Sequence, residues 1–418
     1  MKKILIKNIK TLYTSIKKPP VKGSLMKEIL ELENAYVLVH DDVIIEIGSG
    51  DKSVDSDCEI FDAKNLIAIP GLIDSHTHLV FGGSREHEFS RKIAGENYLD
   101  ILKSGGGILS TVEATKNATH KELYEKAKKS LDEMLLFGVT TIEAKSGYGL
   151  ELDTEIKTLE VLKDLNKKHV IDIHSTYLGA HAFPKEYASK RGDFVKKIIN
   201  DLEIIKEKKL AEYADVFCET GVFDAIETKQ ILLKAKDLGF KLRVHTDEID
   251  SIGGTEVAIN LKAKTIDHLM AITEQDIDKV AKTDTIANLL PSTSFFLNKD
   301  YAPARKLIDA GVAVSVSSDY NPGSTPSENY QLTLQIAGNK LRMLPNEILT
   351  ASTINPAFSL DLHDKIGSLE VGKKADIVLL DCNNLDYFIY HYGINHTKHV
   401  FKNGKLVVKD RKIVEEIV

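Results

Sequence analysis

His76 and His78 are separated by one residue in the run Asp74-Ser75-His76-Thr77-His78. Alternate side chains of an extended strand share a face, so both imidazoles point the same way. Three more β-rich runs end in groups of the same chemistry: His245 closes KLRVHT ahead of Asp247 and Glu248, His268 closes KTIDH, and Asp319 closes VAVSVSSD. Three imidazoles and a carboxylate suit one divalent first-row metal, zinc or iron, and a site without thiolate is untypical of structural zinc. With His76, His78, His245 and Asp319 as ligands and a position open for water, the pattern reads as a catalytic centre at which water ionises near neutrality. Glu248 and His268 then orient that water or shuttle protons, which makes Glu248, His268 and Asp319 the catalytic group. Each residue alone has a plainer explanation. An HxH recurs by chance, a single strand histidine is usually structural, and Asp319 before Asn321-Pro322-Gly323 could open a turn. The shared location at strand ends carries the metal reading.

From about Leu66 to Pro356, short β-rich runs alternate with amphipathic helical stretches. Eight runs read as strands: LIAIPGLID, GVTTIEAK, VIDIHSTYLG, YADVFCE, KLRVHTDE, KTIDHLM, TIANLLP and VAVSVSSD. Between them, KELYEKAKKSLDEMLLFG, TEIKTLEVLKDLNKK and ETKQILLKAKDLG have helical periodicity, the first and last closing on glycine. Eight such units predict an α/β fold, a (β/α)8 barrel, whose active-site residues come from the C-terminal ends of its strands. A doubly wound sheet would want a Gly-rich phosphate turn, and neither GxGxxG nor GxxxxGK[ST] is present. Gly105-Gly106-Gly107 reads as a turn before a helix. The two ends differ from the middle. KKILIK, YVLVHDD and VIIEIG at the start, and ADIVLLD, HVFKNG and KLVVKD at the end, are short β runs, with Asn403-Gly404 a type I′ hairpin signal. Residues 1–65 plus 360–418 are expected to form one small β-sandwich domain, and 66–359 the barrel.

Composition narrows the function classes. The 418 residues carry 55 Lys+Arg against 62 Asp+Glu, a net charge of -7, which argues against a nucleic-acid binder or a basic membrane-surface protein. Cys58, Cys218 and Cys382 are far apart and form no CxxC pair, so neither a disulfide framework nor a zinc knuckle is encoded. No apolar run reaches the roughly 18 residues of a membrane span, and the opening MKKILIKNIK lacks the unbroken stretch of a signal peptide, so a cytoplasmic protein is expected. His40, His120, His169, His391, His396 and His399 lie in polar or terminal contexts and are expected at the surface.

PGLIDSHTH after a β-rich segment, later strands ending in His, SSD at the eighth strand and the tail GSLEVGKKADIVLLD resemble the amidohydrolase superfamily over essentially the whole chain. HLVFGGSREHEF, EAKSGYGL, YLGAHAFP, HTDEI and SSDYNPGS are similar to the branch of that superfamily that works in histidine degradation. The resemblance implies hydrolysis of the lactam ring of 4-imidazolone-5-propanoate to N-formimidoyl-L-glutamate, by a homodimer with one zinc or iron ion per chain. It also implies that Arg85 and Tyr148 hold the propionate, that His181, Glu248, Asn321, Gly323 and Ser324 contact the ring or product, and that His268 lies beside the metal's water. A carboxylate tail needs such a clamp, which the guanidinium fork supplies. A surface ion pair of Arg85 with Glu86 or Glu88 competes with that role. Binuclear members of the superfamily use a carboxylated lysine on the fourth barrel strand, and neither VIDIHSTYLG nor YADVFCE offers a lysine. Lys145 is the nearest candidate, expected instead in a loop ion pair, so one metal is expected. A mononuclear amidohydrolase deaminating a nucleobase-like ring is the alternative, and a scaffold without activity is a more distant one.

Overall fold

The computed structural model describes residues 3–96 and 106–414, and their strands divide between two sheets. The N-terminal strands are β1 (Lys3–Thr14), β2 (Leu30–His40), β3 (Val43–Ser49), β4 (Glu59–Asp62) and β5 (Ile67–Pro70). Eight strands follow: β6 (Leu72–Thr77), β7 (Val139–Lys145), β8 (Asp172–Ala180), β9 (Tyr213–Cys218), β10 (Lys241–Thr246), β11 (Thr265–His268), β12 (Ile286–Leu289) and β13 (Val314–Val316). The last four are β14 (Ile377–Leu380), β15 (Thr397–Lys402), β16 (Lys405–Lys409) and β17 (Lys412–Ile413).

The first sheet runs β17-β16-β15-β14-β5-β1-β2-β3 with β4 on β1, so strands from both chain ends lie side by side. β5 joins them, pairing with β14 antiparallel and touching β1. Alternating aliphatics explain its inner face: Ile4, Ile6, Ile9, Val37, Val39, Ile377 and Leu379 pack into one buried cluster. Asn403 and Gly404 both take positive φ, 50° and 73°, as a type I′ turn between β15 and β16 requires.

The second sheet is parallel and strictly sequential, β6 through β13. Its two edges meet through Asp319 N donating to His76 O (3.1 Å) and His78 N donating to Tyr320 O (2.8 Å). The barrel therefore closes along the segments that carry three of the expected ligands. Helices pack outside, and local chemistry starts them. Thr119 and Glu122 form a capping box ahead of His120–Leu136, as Asp224 and Glu227 do ahead of Ala225–Asp237. Among the described residues no helix is long and apolar enough to cross a membrane.

Two expectations are corrected. LIAIPGLID is two strands rather than one: Ile67–Pro70 belongs to the end sheet, and Leu72–Thr77 begins the barrel. A continuous apolar run hides the break, because β5 and β6 are buried throughout. His169, His396 and His399 are buried rather than at the surface. Partners explain two of them, since His169 Nε2 meets Asp132 Oδ1 at 3.1 Å and His396 Nε2 meets the carbonyl of His391 at 2.8 Å.

Candidate metal centre and active site

β6 and the residue after it carry His76 and His78, β10 carries His245, β11 ends at His268, and Asp319 follows β13. The chain turns away from three of these strands through left-handed backbone at Asp247, His268 and Asp319, with φ of 53°, 82° and 55°. Such conformations are costly for side chains other than glycine and cluster where a site dictates them. The imidazole centroids of His76 and His245 are 4.5 Å apart, and those of His245 and His268 5.2 Å. Asp319 Oδ1 stands 3.5 Å from Nε2 of both His76 and His78. Ligand atoms of His76, His78 and Asp319 lie within 4.8 Å of one another, and so do those of His76, His245 and His268.

The donor set fits a divalent ion. Nε2 of His76 and His245 and Oδ1 of Asp319 are buried without a hydrogen bond, and His78 turns its Nε2 to the same Asp319 oxygen. One such atom costs about 1–3 kcal/mol, so several converging on one point need a shared partner. Burial and nearby positive charge hold His76 and His78 well below the usual histidine range, so both stay neutral, the form that ligates. At His245 burial pushes the same way, but the Asp215 carboxylate outweighs it and raises the imidazole. Asp215 Oδ2 lies 3.0 Å from His245 Nδ1, and Asp267 Oδ1 lies 3.3 Å from His76 Nδ1. Each carboxylate faces the nitrogen turned away from the centre, the arrangement that orients metal-bound imidazoles.

A cavity of about 780 Å³ opens over this cluster and reaches Arg85, Tyr148, His181, Glu248, Asn321 and Ser324. Arg85 Nε and Nη2 donate to Glu88 Oε2 at 3.1 and 2.8 Å, so the competing ion pair exists, but with a buried rather than a surface carboxylate. It leaves Nη1 for another anion. Nη1 stands against Gly323, where any Cβ would collide with it, so glycine is what lets the guanidinium approach. Tyr148 is buried, and desolvation raises its hydroxyl so that it remains a donor. Gly147 has φ 117°, and a Cβ there would lie 2.9 Å from His181 Nδ1. His181 Nδ1 is 3.0 Å from the carbonyl of Gly147. A carbonyl only accepts, so Nδ1 carries the proton, and with burial lowering this imidazole to about 3, Nε2 remains an acceptor. His268 Nε2 and Glu248 Oε2 are 3.8 Å apart beside the ligands. Asn321 uses its amide on its own loop, donating to Asp319 O and Ser324 Oγ and accepting from the amides of Gly323 and Ser324.

Glu155 and Glu219 are not marked by the sequence, and Glu88 is marked there only as a partner of Arg85; all three hold these loops. Glu155 accepts from the amides of Gly147, Gly149 and Leu150 around Tyr148. Glu219 accepts from those of Glu248, Ile249 and Asp250. Glu88 accepts from Gly107 N and Ser110 Oγ as well as from Arg85. Spacing could not announce Glu219, which lies 29 residues from Glu248 and acts through space. Lys145 is also corrected. It is a fully buried residue of β7 rather than part of a loop, with Nζ 3.0 Å from Glu143 Oε1 and 2.9 Å from Asp215 Oδ2.

The profile of the Amidohydrolase family matches residues 67–407. An adenosine deaminase from Xanthomonas campestris with bound zinc superposes with a TM-score of 0.72 at 18% identity, over 99% of this chain and 94% of that one, a likeness of fold. Sequence similarity is much closer elsewhere. Imidazolonepropionase of Fusobacterium nucleatum is 50% identical over 409 residues, covering 97% of this chain and 99% of its own. Those of Streptococcus gordonii and Bacillus cytotoxicus are 50% and 49% identical, covering 94% and 96% of this chain and 95% and 96% of theirs. The chain belongs to the amidohydrolase family and, within it, to the imidazolonepropionases.

Proposed function

We infer that the chain hydrolyses the lactam of 4-imidazolone-5-propanoate, in histidine catabolism, giving N-formimidoyl-L-glutamate. Half-identity to imidazolonepropionases over nearly the whole chain carries the activity. His76, His78, His245 and Asp319 are assigned as ligands of a single zinc or iron ion. When bound, a divalent ion supplies Lewis acidity, polarising a carbonyl and making hydroxide available near pH 7.

The other roles follow from the chain's own groups. Arg85 Nη1, the arm that Glu88 does not occupy, accepts the propionate as a charge-assisted partner, and the Tyr148 hydroxyl adds a donor. Neutral His181 presents Nε2 to a ring N–H, a role that excludes it as an oxyanion donor. Glu248 and His268 handle protons between them: one proton leaves the attacking water, and one reaches the ring nitrogen as the carbonyl carbon–nitrogen bond breaks. Gly323, Asn321 and Ser324 shape the wall beside Arg85. A nucleobase deaminase would have no use for that cation, because its substrate carries no carboxylate. The protein is assigned as a cytoplasmic homodimer, which light scattering tests.

Loss of imidazolone absorbance on adding the purified, metallated protein is the decisive measurement, with Arg85→Ala as control. Turnover by wild type and a strongly raised KM in the variant are expected. An inactive wild type that deaminates a nucleobase would overturn the assignment.

A further inference from the structure

Beneath the ligand cluster the barrel encloses a buried lysine that no step of the proposed reaction uses. Lys145, Glu143 and Asp215 have fully buried side chains. Lys145 Nζ sits between the two carboxylates, 3.0 Å from Glu143 Oε1 and 2.9 Å from Asp215 Oδ2. The same Asp215 Oδ2 is 3.0 Å from His245 Nδ1, and its Oδ1 accepts from the His245 backbone amide at 3.3 Å. Asp215 thus grips His245 at both main chain and ring.

We propose that Lys145 is a positioning residue for the metal, anchoring Asp215 so that His245 keeps its proton on Nδ1 and turns Nε2 to the ion. The inference rests on the assignment of His245 as a ligand and adds the two residues behind it. A carboxylate facing Nδ1 selects the tautomer protonated there, because an ionised carboxylate can only accept. Asp215 does this only while it is aimed at the ring. Without the lysine, no ion pair would hold the Asp215 carboxylate in place against His245. Arg243 lies near both Glu143 and Asp215, but its Nη1 donates instead to Ser75 O (3.0 Å) and Thr265 Oγ1 (3.3 Å). His76 is backed differently. Asp267 faces its Nδ1 and is held by neutral donors, Asn288 Nδ2 at 2.6 Å and Thr265 Oγ1 at 2.8 Å. Of the two carboxylates behind the imidazoles, Asp215 is the one in direct contact with a lysine.

Cobalt(II) binding to the full-length, metal-free protein tests this, measured by competition with a chromophoric chelator and by the visible spectrum of the bound ion. Lys145→Met and Asp215→Asn should each weaken binding about 10- to 100-fold and alter the cobalt spectrum. Lys145→Met leaves two unpaired carboxylates and could unfold, so Lys145→Met/Glu143→Gln restores charge balance without restoring the anchor. Weak binding and an altered spectrum in that folded double variant support the proposal. Wild-type affinity and spectrum there would reduce Lys145 to charge balance and overturn it. A wild-type protein that binds no cobalt overturns the metal centre itself, which separates that failure from this one.

Discussion

Two levels of the same barrel strands are built on opposite rules. At the C-terminal ends, His76, His245 and Asp319 bury polar atoms that no other group satisfies. Below them, Lys145 meets Glu143 and Asp215, Asn288 donates to Asp267, and Arg243 reaches Ser75 and Thr265. Both levels are equally dry, so burial does not distinguish them. What differs is where the partner comes from. The lower level carries most of its own counter-charges, although Glu143 Oε2 and Arg243 Nε also lack a hydrogen bond, whereas the upper one gathers its unpaired atoms at one point. The upper level should then govern activity, and the lower one stability.

Substitutions on the two levels can break that contrast. His78→Ala should lower turnover by on the order of 10³-fold or more, since a metal centre supplies several kcal/mol to the transition state. The same variant should cost the metal-free protein only what the cavity left by the imidazole costs, because no hydrogen bond to Nδ1 is lost. Chelation of the wild type should reproduce the activity loss, and added zinc should reverse it. Arg243→Met should do the reverse, lowering stability by about 1–3 kcal/mol by leaving the buried Ser75 carbonyl without its donor, read from urea unfolding. Equal damage to activity and stability in both variants would dissolve the distinction between levels.

The upper level was legible and the lower one mostly was not. A strand announces its end by a change from aliphatic to polar residues, so His76, His78, His245, His268 and Asp319 stand out by position alone. Period-two alternation extends the signal one step down, because Arg243 precedes His245 by two residues and Glu143 precedes Lys145 by two. It stops there. The contact of Lys145 with Asp215 joins β7 to β9, strands with β8 between them, and only the curvature of a closed barrel brings their inner side chains together. The split of β5 from β6 was hidden for another reason, since both sheets want the same apolar residues there.

The loops above the strands refine the contrast. Arg85→Ala removes a charge-assisted contact of about 1.5–3 kcal/mol and should raise KM roughly 10- to 100-fold with a smaller effect on kcat. Glu219→Gln keeps the shape but weakens three backbone contacts to the Glu248 turn. It should lower kcat by roughly 5- to 10-fold, on the order of 1 kcal/mol, while KM stays close to wild type. A larger change in KM than in kcat would mean that this turn positions substrate rather than the proton-handling pair.

The smallest effect concerns protons in the metal-free protein. Burial lowers His181 from the ordinary 6.5 to about 3, so between those values the folded chain binds fewer protons at this site than the unfolded chain. Its neutral form is accommodated in full above pH 6.5, and stability is lost as pH falls from there towards 3. His76 and His78 have the same sign, and His245, raised by Asp215, the opposite one. Urea midpoints measured at pH 7.5 and pH 5.5 should therefore fall for the wild type and fall less for His181→Asn, whatever that change does to stability at neutral pH. The slope is the informative quantity, because losing the contact to Gly147 shifts both midpoints together. Identical slopes would mean that the imidazole at the cavity wall takes up its proton as readily as an exposed one, and the cavity above the upper level would then be wet before any substrate enters.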